Sequence, residues 1–204
     1  MTEAHISTAT ITRLVTLLQL EPQGPDHFRG ASEDIGSGRV FGGQVLGQAL
    51  VAACRTATSP IHSLHAYFLL PGDHHQPIDY LVERVRDGRS FATRRVVAQQ
   101  KGRTIFTMMA SFHAPEAGSF SHQRQMPAVP PPEGLQTETA LRQAQAHQLP
   151  AGWRGEKLPP IEYRMVDPVD LLHPTPRTAD TQLWLRACAA VPNDPVLHRA
   201  LLAY

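Results

Sequence analysis

The chain has 204 residues, 42% of them hydrophobic, with 19 basic and 18 acidic side chains and a formal charge of +1. That is enough apolar material for a substantial core in one large domain or two small ones. The charges are scattered without runs of one sign, which argues against a nucleic-acid footprint and a polybasic membrane patch; no apolar run approaches the ~20 residues of a membrane span.

The first 20 residues carry no basic leader followed by a long apolar core, so the sequence reads as cytoplasmic. Cys54 and Cys188 are far apart in apolar settings and outside any metal-spacing motif, which predicts reduced packing residues rather than a bridge. No cofactor or metal motif stands out.

In chain order, Ile11 to Leu20 has helical spacing with Thr8 or Thr10 as cap. After Pro22 to Pro25, His27 to Ser32 reads as a short strand and Asp34 to Gly38 as a glycine-rich loop. Val40 to Cys54 then forms the centre of the chain: a helix apolar on nearly every side, opened by Gly42-Gly43 rather than a Ser, Thr, Asp or Asn cap, and ending near Ala57 before Ser59-Pro60. Such a helix must be wrapped.

The wrapping material follows. Ile61 to Leu70, Ile78 to Arg86, Ser90 to Gln100 and Thr104 to Phe112 read as strands, the last three joined at Asp87-Gly88 and Lys101-Gly102 by two-residue hairpin turns. The predicted order β-α-β-β-β-β is an α+β arrangement with an antiparallel meander curled around the helix. Strict alternation in the first long strand puts His62 with Leu64, Ala66 and Phe68 on its more apolar face.

From Ala114 to Pro160 prolines accumulate, including Pro130-Pro131-Pro132, and this stretch reads as a linker with a short helix near Glu138 to His147. Strand pattern returns at Ile161 to Val166 and Gln182 to Cys188. Asn193-Asp194-Pro195 then caps a helix carrying Val196, Leu197, Ala200 and Leu201. The expected organisation is residues 1–115 as a first domain, 116–160 as linker and 161–204 as the start of a second domain that the sequence does not complete.

Several residues are candidates for chemistry. The backbone N–H groups of Gly43 and Gln44, at the positive end of a buried helix, could polarise a carbonyl or bind an anion; alternatively the glycines serve close packing. The glycines match neither a P-loop, which needs a lysine, nor a dinucleotide fingerprint. His62 could act as a general base or be structural. Gln44 and Gln48, one helical turn apart, either line a wet cavity or bond strand edges. Glu33 and Asp34, just before the helix loop, could contact substrate, but local turn or cap hydrogen bonds suit them better. His74-His75 reads as a solvated turn. With no Gly-x-Ser-x-Gly elbow and no polar setting for a cysteine, a hydrolase here would activate water directly.

Five stretches carry a resemblance: Phe28-Arg29-Gly30 with Ser32-Glu33-Asp34; Val40 to Leu50; His62 to Asp73; Arg86-Asp87-Gly88 with Ser90-Phe91; and Ala110 to Glu116. In these the chain resembles the acyl-CoA thioesterase II family, whose members fuse two hot-dog domains. The resemblance implies hydrolysis of fatty acyl-CoA to free acid and CoA without a covalent intermediate. It also implies acyl-CoA as the substrate partner and pairing of two hot-dogs within one chain. A lone hot-dog would leave an edge strand and an apolar helix face exposed, so pairing with another hot-dog, hence a homo-oligomer, is expected. The Asp, hydroxyl residue and Gln that activate water in that family fall beyond Tyr204, leaving His62 as catalytic candidate and Gly42, Gly43 and Gln44 as substrate-binding candidates. Two other readings compete: a hydratase or dehydratase using His62, and a non-catalytic acyl-CoA-binding module.

Overall fold

The structure is a computed structural model and describes residues 3–155 and 158–204. Its elements are α1 (Glu3–Leu17), β1 (Glu21–Gly24), β2 (His27–Gly30), α2 (Gly42–Cys54), β3 (Ile61–Phe68), β4 (Ile78–Asp87), β5 (Phe91–Gln100), β6 (Arg103–His113), α3 (Glu138–Ala144), β7 (Ile161–Met165), β8 (Leu183–Ala187) and α4 (Pro195–Ala203). They gather into two compact units: Val15–Ser119 with Pro192–Tyr204, and the chain up to Leu14 with Phe120–Val191.

The first of these units is the expected α+β arrangement. Six antiparallel strands in the order β1-β2-β4-β5-β6-β3 curl around α2. The inward side chains of the sheet form rows set by its register: Tyr80 opposite Ala98 opposite Phe106, and Val82 opposite Val96 opposite Met108. All six are buried, because alternation along each strand puts one apolar set against the helix.

Two glutamines are polar exceptions inside this core. Gln48 is completely buried and donates to Leu17 O at 2.6 Å and to Ala31 O at 3.0 Å, while accepting from the Tyr80 hydroxyl at 2.6 Å. Burying an amide is tolerable only when its groups are paired, as here. Gly30 makes the room: a Cβ at that position would lie 2.7 Å from the Gln48 amide.

At the far end of α2 the buried Arg94 closes the turn. It donates to Thr56 Oγ1 at 2.9 Å, Thr56 O at 2.8 Å and Arg86 O at 3.0 Å, and pairs with the exposed carboxylate of Asp87. Thr56 also donates its hydroxyl to Ala53 O at 2.9 Å, so the helix ends at Cys54, three residues before the expected Ala57.

Other boundaries also move. Strand β1 overlaps the Pro22-to-Pro25 stretch and lies at the sheet edge, where a proline is tolerated. Helix α1 starts earlier and stops earlier than expected. Lys101-Gly102 is the two-residue turn expected, with φ of 49° and 74°. Asp87-Gly88 is not: three residues separate β4 from β5, and Gly88 N–H donates to Phe91 O at 2.9 Å without a positive φ.

In the second unit β7 and β8 form a two-stranded antiparallel ladder from Ile161 opposite Ala187 to Met165 opposite Leu183. Helix α3, inside the proline-rich stretch, is capped by Thr137, whose hydroxyl accepts from Ala140 N at 3.0 Å. Arg164 of β7 donates to Pro132 O at 2.9 Å and Leu135 O at 2.6 Å, tying part of that stretch to the ladder.

Candidate active site at the glycine end of the central helix

The start of α2 opens into a cavity of about 370 Å³. Its walls are Val40, Gly42 and Val45 on the helix side, Phe68 to Gly72 at the end of β3, and Ile105 and Phe106 of β6; among the described residues Arg39 is its sole charged lining residue. The N-cap residue Phe41 makes no side-chain hydrogen bond to this helix end, and no acidic residue lies in its first turn. The arrangement is an apolar slot ending on a helix N-terminus, suited to hold a hydrocarbon chain and to direct N–H groups at a polar atom attached to it.

Local bonding shapes the slot. In β6 the register slips beside Gln99, so that both Ile105 and Phe106 are buried. This bulge aims Ile105 at the cavity, and its carbonyl accepts from Leu69 N at 2.9 Å and Leu70 N at 3.2 Å. On the other wall, Asp34 Oδ1 accepts from the N–H groups of Gly36, Ser37 and Gly38, and those bonds, Gly36's foremost, hold its carboxyl below the usual value. Asp34 thus takes the local turn role expected of it. Val40, after this loop, donates to Gly72 O at 3.1 Å.

The Pro71 to Gln76 turn is fixed from inside by Gln100. Its side chain accepts from Asp73 N at 2.8 Å and donates at 2.8 Å to both Asp73 O and Gln76 O, and the residue is buried. Sequence pattern offered no hint of this role beyond a polar residue at the inward position of β5. The lining of Val40, Leu70 and Ile105 was equally hidden, because a bulge has no alternation signature, although the adjacent pair Ile105-Phe106 breaks strict alternation.

Gly42, Gly43 and Gln44 come together here, in different ways. Gly42 faces the cavity, with a Cβ there 3.1 Å from the Phe68 ring. Gly43 faces α4: its Cβ would fall 2.0 Å from the carbonyl oxygen of Tyr204, so this glycine serves close approach of a helix. Gln44 turns its side chain away from the slot, donating to Ala31 O at 2.9 Å and accepting from Glu33 N at 3.2 Å. Both glutamines therefore bond the segment that follows β2.

His62 is elsewhere. The expected alternation fails because β3 carries a bulge: Ile61 pairs with Phe112 and Ser63 with Ser111, leaving His62 as the extra residue. The imidazole is consequently exposed on the outer face of the sheet, not on the apolar face, and its Nε2 lies 2.9 Å from Ser111 Oγ. Phe91 and His113, stacked at 4.2 Å, flank it. Gly42 neighbours Phe68, six positions further along the strand, or roughly 20 Å away at about 3.3 Å per residue.

Two larger openings carry less chemistry. One of about 760 Å³ in the other unit is bounded by the 166–182 loop, where Asp167 pairs with Arg177 and Asp170 with His173. The other, about 460 Å³, lies beside Cys54, whose thiol burial pushes up to about 11 and so keeps protonated.

A sheet curled around one long helix, with an apolar slot at the helix start, defines a hot-dog protein. A structure described as a hot-dog fold protein from Alicyclobacillus acidocaldarius superposes with a TM-score of 0.74 at 21% identity, covering 94% of this chain and 68% of that one. Residues 31–113 match the acyl-CoA thioesterase N-terminal domain. Acyl-CoA thioesterase 2 of Haemophilus influenzae is 40% identical over 95% of this chain and 69% of its own length. The crystal structure of the acyl-CoA thioesterase II TesB2 from Mycobacterium marinum is 41% identical with a TM-score of 0.72, covering 93% of this chain and 66% of that one. The chain belongs to the acyl-CoA thioesterase family, and spans about two thirds of the length of these relatives.

Proposed function

We infer that this chain serves hydrolysis of acyl-CoA thioesters, water and RCO–S–CoA giving free acid and CoA–SH. The single observation that carries the reading is the glycine start of α2, to which Phe41 makes no side-chain cap, opening into an apolar slot. The acyl chain lies against Val45, Phe68, Leu70 and Ile105, and the thioester carbonyl approaches the N–H groups of Gly42 and Gly43. Developing negative charge on that oxygen is favoured by the positive end of the helix. His62 enters this reading as a cross-strand tie to Ser111, not as the base. Its separation from the glycines favours hydrolysis over a hydratase reaction, which needs a base beside the acyl carbons.

The domain reading is retained as a proposal: a hot-dog over residues 1–115, a linker over 116–160, and the beginning of a second hot-dog over 161–204. Homo-oligomerisation through hot-dog pairing is supported by β3, which ends the sheet and has β6 as its one partner strand among the described residues. A cytoplasmic setting is supported by the two free cysteines, Cys54 and Cys188.

The test is thiol release from medium- and long-chain acyl-CoA, with product acid quantified, alongside a Gly42→Val variant that fills the slot. Equimolar CoA and acid from the parent, and a raised KM in the variant, are expected. Binding of acyl-CoA with no release would leave the binding-module reading standing. Water loss from a 3-hydroxyacyl-CoA without CoA release would establish the hydratase reading instead.

A further inference from the structure

The turn after β3 brings together three donors that the thioesterase reading does not use. One ligand atom each from Asp73, His74 and His75 lies within 4.8 Å of the others, and the two imidazole centroids are 3.9 Å apart. His74 Nδ1 is buried and has no hydrogen-bond partner. A buried imidazole nitrogen left unpaired is costly, and an ion is among the ordinary ways in which such a group is satisfied.

We propose that Asp73, His74 and His75 form a binding site for one divalent transition-metal cation of the zinc class. Two imidazole nitrogens and a carboxylate oxygen suit Zn²⁺, Co²⁺ or Ni²⁺, whereas Mg²⁺ and Ca²⁺ take oxygen ligands. Metal–ligand bonds of about 2.0–2.2 Å set donors roughly 3.4 Å apart, so side-chain rotations of about an ångström close the cluster on the ion. Water completes the coordination.

The backbone beneath the cluster is already organised. Buried Gln100 holds Asp73 by both its N–H and its carbonyl and holds Gln76 by its carbonyl. Asp73 Oδ1 accepts from His75 N at 2.9 Å, and Gln76 N donates to Asp73 O at 3.1 Å. The Asp34 carboxylate also interacts electrostatically with His74, adding negative charge nearby. A site fixed in this way loses little chain entropy on binding. Because Gly72, next to Asp73, bonds Val40 of the slot wall, the ion would stiffen the turn on which that wall rests.

The experiment is a Co²⁺ titration of the chelator-stripped protein near pH 7.5, followed by visible d–d absorption and calorimetry, then displacement by Zn²⁺. One Co²⁺ per chain is expected, displaced by one Zn²⁺ and accompanied by a raised Tm. His75→Gln and His74→Gln should each weaken binding by at least about tenfold. His173→Gln, at the exposed Asp170–His173 pair, should leave it unchanged. Circular dichroism of each metal-free variant establishes its folding; His75 is exposed, so its substitution reads binding even if His74→Gln fails to fold. No saturable binding, binding that survives His75→Gln, or loss caused by His173→Gln would overturn the proposal. None of these readouts depends on thioester turnover.

Discussion

The Tyr80 hydroxyl donates to Gln48 Oε1 at 2.6 Å, and both side chains are completely buried. Tyr80→Phe removes that donor and strands an amide oxygen in the core. A loss of about 1–3 kcal/mol in unfolding free energy is expected, read from the denaturant midpoint at unchanged m.

The same burial pushes the Tyr80 hydroxyl well above its ordinary value of 10. The native state therefore keeps this proton where the unfolded chain releases it. The contribution is intact below about pH 10 and declines as pH rises further, because only the unfolded state gains by ionising. Spectrophotometric titration should show the Tyr80 phenolate only on alkaline unfolding, and in Tyr80→Phe this part of the alkaline decline should disappear.

Arg94 and Asp87 are unequal partners. Arg94 is 1% exposed and donates to several carbonyls, whereas the Asp87 side chain is 58% exposed. Asp87→Asn should cost less than about 1 kcal/mol, as for a solvent-screened pair. Arg94→Met strips Thr56 O and Arg86 O of a donor and should cost about 3 kcal/mol or more. Urea unfolding of the two variants distinguishes them.

Substituting His62 tests the catalytic assignment. Loss of a true general base costs about 10²-fold or more in rate. With His62 on the outer sheet face, His62→Ala should keep kcat for thiol release within about threefold, well short of that loss. A hundredfold fall would restore His62 as the base.

Cys54 should label slowly. A thiol raised from 9.0 to about 11 holds about a hundredfold less thiolate at pH 8. Alkylation of Cys54, followed by mass spectrometry, should accelerate about tenfold per pH unit up to about 11 while the fold persists.

The wrapped helix, the β4-β5-β6 part of the meander and the hairpin at Lys101-Gly102 were legible from the sequence because each rests on local periodicity or on one turn's dihedral demands. Strand β3 departs from the expected meander by crossing over to pair with β6 instead of β4. The slot was only half legible. Gly42 and Gly43 stood out, yet nothing local separates a glycine facing a cavity from one admitting α4. His62 and Ile105 were misplaced or missed for one reason: each sits at a bulge, where tertiary pairing overrides alternation. Gln100 escaped notice because its partners are backbone groups 24 to 27 positions away.

The hollow left by Gly30 couples three positions in heredity. While Gln48 fills that hollow, any larger residue at 30 collides with it. Shortening 48 first removes the acceptor of Tyr80, whose hydroxyl then becomes a burden until residue 80 changes too. A larger residue at 30 therefore becomes possible only once 48 has shortened, so the three positions constrain one another's substitution.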